Sequence, residues 1–309
     1  MGDPQLYTVC VAISYVSIAI SILLLTIFIR SPRLNENAQL TPIAYLSLSD
    51  LIWALWALIC YTPAMNGGSS VSEISSGLCK AVGVFGNFGA LSSFFWYYVI
   101  TNNCISAIKG KTVEEDTQSK GWKKHTMAWG LSLFFALLPL MIYPTSGYGP
   151  VDSDGYECWI PDTHDQEWVR ISYYGPLLVI IVQALYLLGL VFKLTCWDWK
   201  DDLNTQRVRT AMRIIVFVSV FVVVWGEALI SRFVEYWMNY ERFKKHFPYL
   251  EDVHIAMKGS AGLINGLVWI TSSVIREEVK QWDWESIKSK WLRCRSANNN
   301  DKEEMLLSP

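Results

Sequence analysis

The chain has 309 residues, 52% hydrophobic and only 17% charged, with 26 Lys and Arg against 28 Asp and Glu. A soluble domain carries about a quarter charged residues, and here no charge at all falls between Asp3 and Arg30, Lys80 and Lys109, Lys124 and Asp152, or Arg170 and Lys193. Runs of that length without a polar stripe exclude a soluble helical bundle, and the net charge of −2 gives no reason to expect nucleic acid as a partner.

Each run is long enough for a helix crossing the bilayer, which takes about 20 residues, and helix satisfies its own backbone polar groups where lipid offers none. In chain order, the pattern predicts helix one over 6–29, followed by a short loop with Arg30 and Arg33. No basic leader or small-residue cleavage site precedes helix one, so it is expected to stay in the membrane. Helix two is predicted over 42–64, with a single acid at Asp50, and ends in the turn-rich run Asn66-Gly67-Gly68-Ser69-Ser70. Helix three covers 78–107, and a charged loop runs to Lys124. Helix four covers 125–143 and stops at Pro144. A long loop over 145–168 leads to helix five over 169–194, and a second charged loop covers 196–207. Helices six and seven are predicted over 208–237 and 253–275.

Orientation follows from the Lys and Arg distribution. The loops after helices one, three and five and the C-terminal segment hold 19 of the 26 basic residues, so that side is expected to be cytoplasmic and the N-terminus extracellular. Many of the fifteen Trp residues, among them Trp122, Trp168 and Trp237, fall near predicted interfaces, where aromatic belts sit.

Of seven cysteines, only Cys79 and Cys158 fall in outer positions. A disulfide between them would tie the long outer loop over the helices in an oxidising compartment; the alternative is two free thiols. No Cys/His spacing suggests a metal site, and no metal or other cofactor is expected.

Ionisable groups inside a membrane are costly and point to function. Asp50 reads either as a sodium or proton site coupled to a switch or as a structural hydrogen-bond partner of Asn265 on helix seven. Lys258 shares a helix face with His254, four residues earlier, and could present two donors to an anionic ligand. The competing reading pairs Lys258 or Arg232 with Glu227 or Glu235. Asn87, Asn102 and Asn103 read as interhelical hydrogen-bonding residues.

Past Arg276, apolar residues recur at near-helical spacing among charges, as in a helix lying in the inner interface, and Cys294 is a candidate palmitoylation site. The expected fold is an all-α membrane protein. A seven-transmembrane-helix bundle occupies residues 1–275, an amphipathic interfacial helix 276–295 and a disordered cytoplasmic tail 296–309.

This layout looks like a G protein-coupled receptor, although the rhodopsin-like motifs are missing; after helix three the chain reads Asn102-Asn103-Cys104-Ile105 in place of Asp/Glu-Arg-Tyr. The local strings are Tyr45-Leu46-Ser47-Leu48-Ser49-Asp50, Ser92-Ser93-Phe94-Phe95-Trp96, Glu157-Cys158-Trp159-Ile160, Ile230-Ser231-Arg232 and Gly262-Leu263-Ile264-Asn265. In that order they resemble the cyclic-AMP receptor family of social amoebae and its plant and protist relatives. Ser231 replaces that family's usual Asn and Ala261 its usual Gln. The resemblance implies a plasma-membrane receptor, not an enzyme, that passes an extracellular small-molecule signal such as cyclic AMP to a heterotrimeric G protein. Ligand contacts are then expected at Lys80, Arg232, His254 and Lys258 beneath Trp159, and G protein contacts on the basic loops at 109–124 and 193–213. The acids of the long outer loop, Asp152, Asp154, Glu157, Asp162, Asp165 and Glu167, would repel an anion. The rivals are a retinal-binding photoreceptor with its Schiff base on Lys258, and a small-solute transporter or channel, for which the internal repeat is missing.

Overall fold

The computed structural model describes residues 4–35, 40–66, 73, 75–108, 121–151, 156–161, 167–197, 205–237, 250–270 and 272–280. The long helices are α1 (Pro4–Arg30), α2 (Thr41–Met65), α3 (Ser76–Ile108), α4 (Gly121–Ile142), α5 (Glu167–Trp197), α6 (Thr205–Trp237) and α7 (Leu250–Ile270). A single helical turn, Pro32–Asn35, follows α1. Among the described residues, α1 to α5 each contain a span long and apolar enough to cross a membrane; in α6 the apolar stretch, Ile215–Ser231, is shorter.

Apolar side chains cover the outward faces of the helices as well as the buried ones, which a water-soluble bundle does not show. Along α1, Cys10, Ser14, Ser17 and Ser21 are buried while Val9, Val16, Ile22, Leu23 and Ile29 are exposed. Ile171, Leu178, Val179, Val182 and Leu185 likewise lie on the exposed face of α5. Hydrocarbon leaves such a surface at no cost, whereas water would not.

α1 lies against α2 and α7, α2 against α3 and α7, α3 against α4 and α5, and α6 against α5 and α7. Small residues permit the closest of these approaches. On α7, a Cβ at Gly262 would sit 3.3 Å from the Cβ atoms of both Asp50 and Ser17, and one at Gly266 would overlap Ile20. On α3, a Cβ at Gly86 would overlap the Trp56 indole.

Two local features depart from the sequence expectation. α4 contains a π-helical stretch, Thr126–Leu131, and the extra residue per turn re-aims side chains. Trp129 thereby meets Phe88 at 5.8 Å and Trp96 at 5.7 Å between ring centroids, and His125 meets Tyr45 at 4.7 Å. Helix seven, expected to run to Ile275, stops at Ile270. The Ser272 hydroxyl accepts a hydrogen bond from the Ile275 N–H (3.4 Å), a cap that starts a new helix, α8 (Ser273–Lys280). α8 belongs to a second compact unit that begins at Thr271, five residues before the expected boundary. Within α8, Ile275 is buried while Arg276, Glu277 and Lys280 are exposed, an amphipathic pattern. The rest of the predicted interfacial helix, with Cys294, and the tail lie outside the described residues.

Candidate functional site

The loop between α4 and α5 folds into the end of the helix assembly where α3 begins. Its hairpin pairs β1 (Gly149–Pro150) antiparallel with β2 (Cys158–Trp159), and the Val151 N–H donates to the Glu157 carbonyl at 3.0 Å. Cys158 is disulfide-bonded to Cys79 in the first turn of α3, with Cα atoms 5.2 Å apart. Both cysteines are buried, which leaves Glu157 pointing into the protein beside a covalent anchor.

Glu157 meets Lys258 there. The Lys258 Nζ donates to both carboxylate oxygens, at 2.6 and 2.8 Å, and the two side chains are 9% and 10% exposed. The Tyr61 hydroxyl donates to Glu157 Oε2 at 3.0 Å. The Trp53 indole N–H donates to the backbone carbonyl of Lys258 (2.6 Å), and the Trp56 indole N–H to that of Cys158 (3.4 Å). A continuous set of rings fills the space below: Trp53 stacks on Trp56 at 4.4 Å, Trp159 meets both, and Trp225, Tyr173 and Phe94 extend the contact. Burying two ions costs hydration free energy that even good geometry only roughly repays. Removing either member alone would leave the other charge buried without its partner.

Seven residues further along α7, about 10 Å down the axis, lies a second polar centre. Asp50, 2% exposed, accepts hydrogen bonds from the Ser93 hydroxyl (2.7 Å) and from Asn265 Nδ2 (3.0 Å), joining α2, α3 and α7. Between the two centres the Ser17 hydroxyl of α1 donates to the Gly259 carbonyl (2.7 Å) and accepts from the Leu263 N–H (3.0 Å).

Tyr148, in the loop, is fixed by the Asn87 side-chain amide, which donates to its hydroxyl at 2.6 Å, and by its own donation to the Ala136 carbonyl at 2.7 Å. Burial pushes its phenol well above the usual range, so the hydroxyl keeps its donor proton. Towards the far end of α3, Gln183 Nε2 donates to Asn102 Oδ1 (2.8 Å) and Lys124 Nζ to Asn103 Oδ1 (3.2 Å), tying α3 to α5 and α4.

Compared with known families, residues 4–259 match the family model described as 7 transmembrane receptor (Secretin family). The chain belongs to the secretin family of seven-transmembrane receptors. It is thus a multi-pass membrane protein of receptor type. A search of curated proteins returns no match to it.

Against this frame, the sequence-predicted residues of the receptor separate into three groups. The structure brings Lys258 and Trp159 to the ion-paired centre, and Asp50 and Asn265 into direct contact. Lys80 Nζ instead donates to the Pro144 carbonyl at 3.1 Å, in an exposed position at the end of α4. Arg232 and His254 lie within α6 and α7, but their side chains are outside the described residues, as are residues 109–120 and 198–204 of the basic loops. The partner of Lys258 differs from both acids the sequence offered for it: Glu157 of the loop takes that place rather than Glu227 or Glu235 of helix six. Glu227 Oε1 accepts the Ser231 hydroxyl at 2.6 Å, one turn away on its own helix. Sequence reasoning also missed Tyr61, Trp53 and Ser93. Two signals for them were available: Glu157 precedes a candidate disulfide cysteine, and Trp53 sits one turn beyond Asp50 on the same helix face.

Proposed function

We propose that the protein is a seven-helix plasma-membrane receptor, extracellular at its N-terminus, that binds a small molecule at the Glu157–Lys258 centre and couples to a heterotrimeric G protein. Besides the family match, one observation carries this reading. α7 holds Lys258 against a loop anchored from outside and, two turns on, holds Asn265 against Asp50 and Ser93. One helix therefore joins the ligand end to a buried polar centre in the membrane. A ligand that separates Lys258 from Glu157 biases the position of α7, and differential affinity for two positions is all a signal requires. In this reading the basic loops at 109–124 and 193–213 supply the G protein face, and Cys294 is a palmitoylation site. The reading assigns no enzymatic step and no cofactor.

Cyclic AMP is the ligand that the resemblance to the amoebal receptors implies. The ion pair weighs against an anion, because a carboxylate already occupies the Lys258 ammonium. Binding of labelled cyclic AMP to membranes carrying the receptor, with and without a non-hydrolysable GTP analogue, tests both parts. Saturable binding weakened by the analogue establishes ligand and coupling together, since linkage is reciprocal. Absence of cyclic AMP binding removes that ligand alone. Failure of the purified receptor to hold any nucleotide-free heterotrimer, released again by the GTP analogue, removes the coupling.

A second reading is favoured by the same pair: a buried lysine facing a carboxylate is what a protonated retinal Schiff base requires. A visible absorbance band after retinal is added, lost in Lys258→Ala, decides for it; an unchanged spectrum discards it.

A further inference from the structure

The two members of the ion pair differ in their freedom to leave it. Glu157 sits one residue from Cys158, which is bonded to α3, and its own carbonyl is held in the hairpin by the Val151 N–H. Its carboxylate also accepts the Tyr61 hydroxyl. Lys258 hangs on a four-carbon stem about 12 Å from the start of α7, and such stems carry their ammonium toward water when a helix shifts. An anionic ligand would have to evict a carboxylate with nowhere to go. A cationic ligand has only to replace an ammonium that can withdraw.

We propose that Glu157 anchors a binding site for a small organic ammonium ion, and that the Lys258 ammonium occupies the ligand's place in the closed molecule. This deepens the receptor reading and rests on it for the direction of entry. Two further observations independently favour a cation. The carboxylate lies beside an aromatic group: Tyr61, which donates its hydroxyl to it, stacks on Tyr7 at 5.7 Å and meets Trp56 at 6.2 Å, and Tyr7 meets Tyr156 at 6.0 Å. Aromatic faces attract alkylammonium groups and repel carboxylates. The loop over 145–168 carries Asp152, Asp154, Glu157, Asp162, Asp165 and Glu167 and no Lys or Arg. That field draws cations toward the site and turns anions away.

The test uses the full-length Lys258→Ala receptor in lipid nanodiscs, with n-propylammonium as the probe for the missing part of the side chain. Sodium butyrate and sodium chloride at equal ionic strength are the controls. n-Propylammonium at ten times its dissociation constant should raise the melting temperature of the variant by about 2 °C, while butyrate has no effect. Adding Glu157→Gln should abolish the shift. Equal stabilisation by butyrate, persistence of the shift in the double variant, or no shift at all would each overturn the proposal. Where Lys258→Ala fails to fold, Lys258→Met with methylammonium as the probe gives the same three outcomes. No G protein enters the assay, so failure of coupling and failure of this site are separately visible.

Discussion

The two buried centres on α7 use opposite means to hold a carboxylate inside the protein. At the disulfide end, Glu157 of the loop is met by a full positive charge from α7 and by the phenol of Tyr61. In the middle, among the described residues, Asp50 is met by neutral donors, Ser93 and Asn265, each at hydrogen-bond length. An ion pair separates into two costly charges, so it is stable closed and stable only when each charge finds a substitute. A carboxylate among neutral donors can exchange one donor for another or for water at small cost. The first centre is built to be all or nothing, and the second to be adjusted.

The contrast is sharpest in what breaking each centre costs. Glu157→Ala leaves the Lys258 ammonium buried without its partner and should destabilise the receptor by about 3–5 kcal/mol. The double variant Glu157→Met with Lys258→Met should recover much of that loss. Thermal unfolding of the four proteins of this cycle measures the coupling, and additive losses would end the ion-pair account. Next in size, Cys79→Ser frees the loop that holds Glu157 and should cost about 2–4 kcal/mol. Its loss should shrink in the Glu157→Met/Lys258→Met background, because the loop then has no charge to place. At the central site, Asn265→Ala removes one donor from the Asp50 carboxylate and should cost about 1.5–3 kcal/mol. The exchange Asp50→Asn with Asn265→Asp should restore most of the stability lost by Asp50→Asn alone; no restoration would show that the two side chains do not act as a pair. Smallest of all, Gln183→Leu removes the bond to Asn102 and should cost about 0.6 kcal/mol, typical of an interhelical hydrogen bond in a membrane. A loss as large as that of Glu157→Ala would mean that the polar residues at the far end of α3 matter as much as the ion pair.

The helices were legible because charge-free runs leave a chain in lipid few choices, and α1, α3 and α5 begin and end within a few residues of where those runs do. Asp50 and Asn265 were legible as a pair because an acid in a transmembrane segment must find a donor. The partner of Lys258 was not, since a search along helices for an opposite charge overlooks a loop that reenters the fold. What sends Glu157 inward is its neighbour: Cys158 pinned to α3 forces the adjoining loop residues over the helices. The π-helical turn of α4 left little trace in sequence, because it depends on how Trp129 and His125 fit against α2 and α3 rather than on local propensity. The end of α7 at Ile270 was obscured by apolar residues that continue past it, while the hydroxyl of Ser272 competes for the backbone and restarts the helix.

The Ser17 hydroxyl clamps α7 to α1 at one point. It donates to the Gly259 carbonyl and accepts from the Leu263 N–H, on the turn of α7 that lies between Lys258 and Asn265. Gly262 stands in the same turn and lets the two helices close to contact, since a Cβ there would already sit 3.3 Å from the Ser17 Cβ. A displacement of α7 at the mouth must therefore carry α1 with it or give up both of those bonds, so the first helix is tied to whatever the seventh does through a residue that touches neither carboxylate.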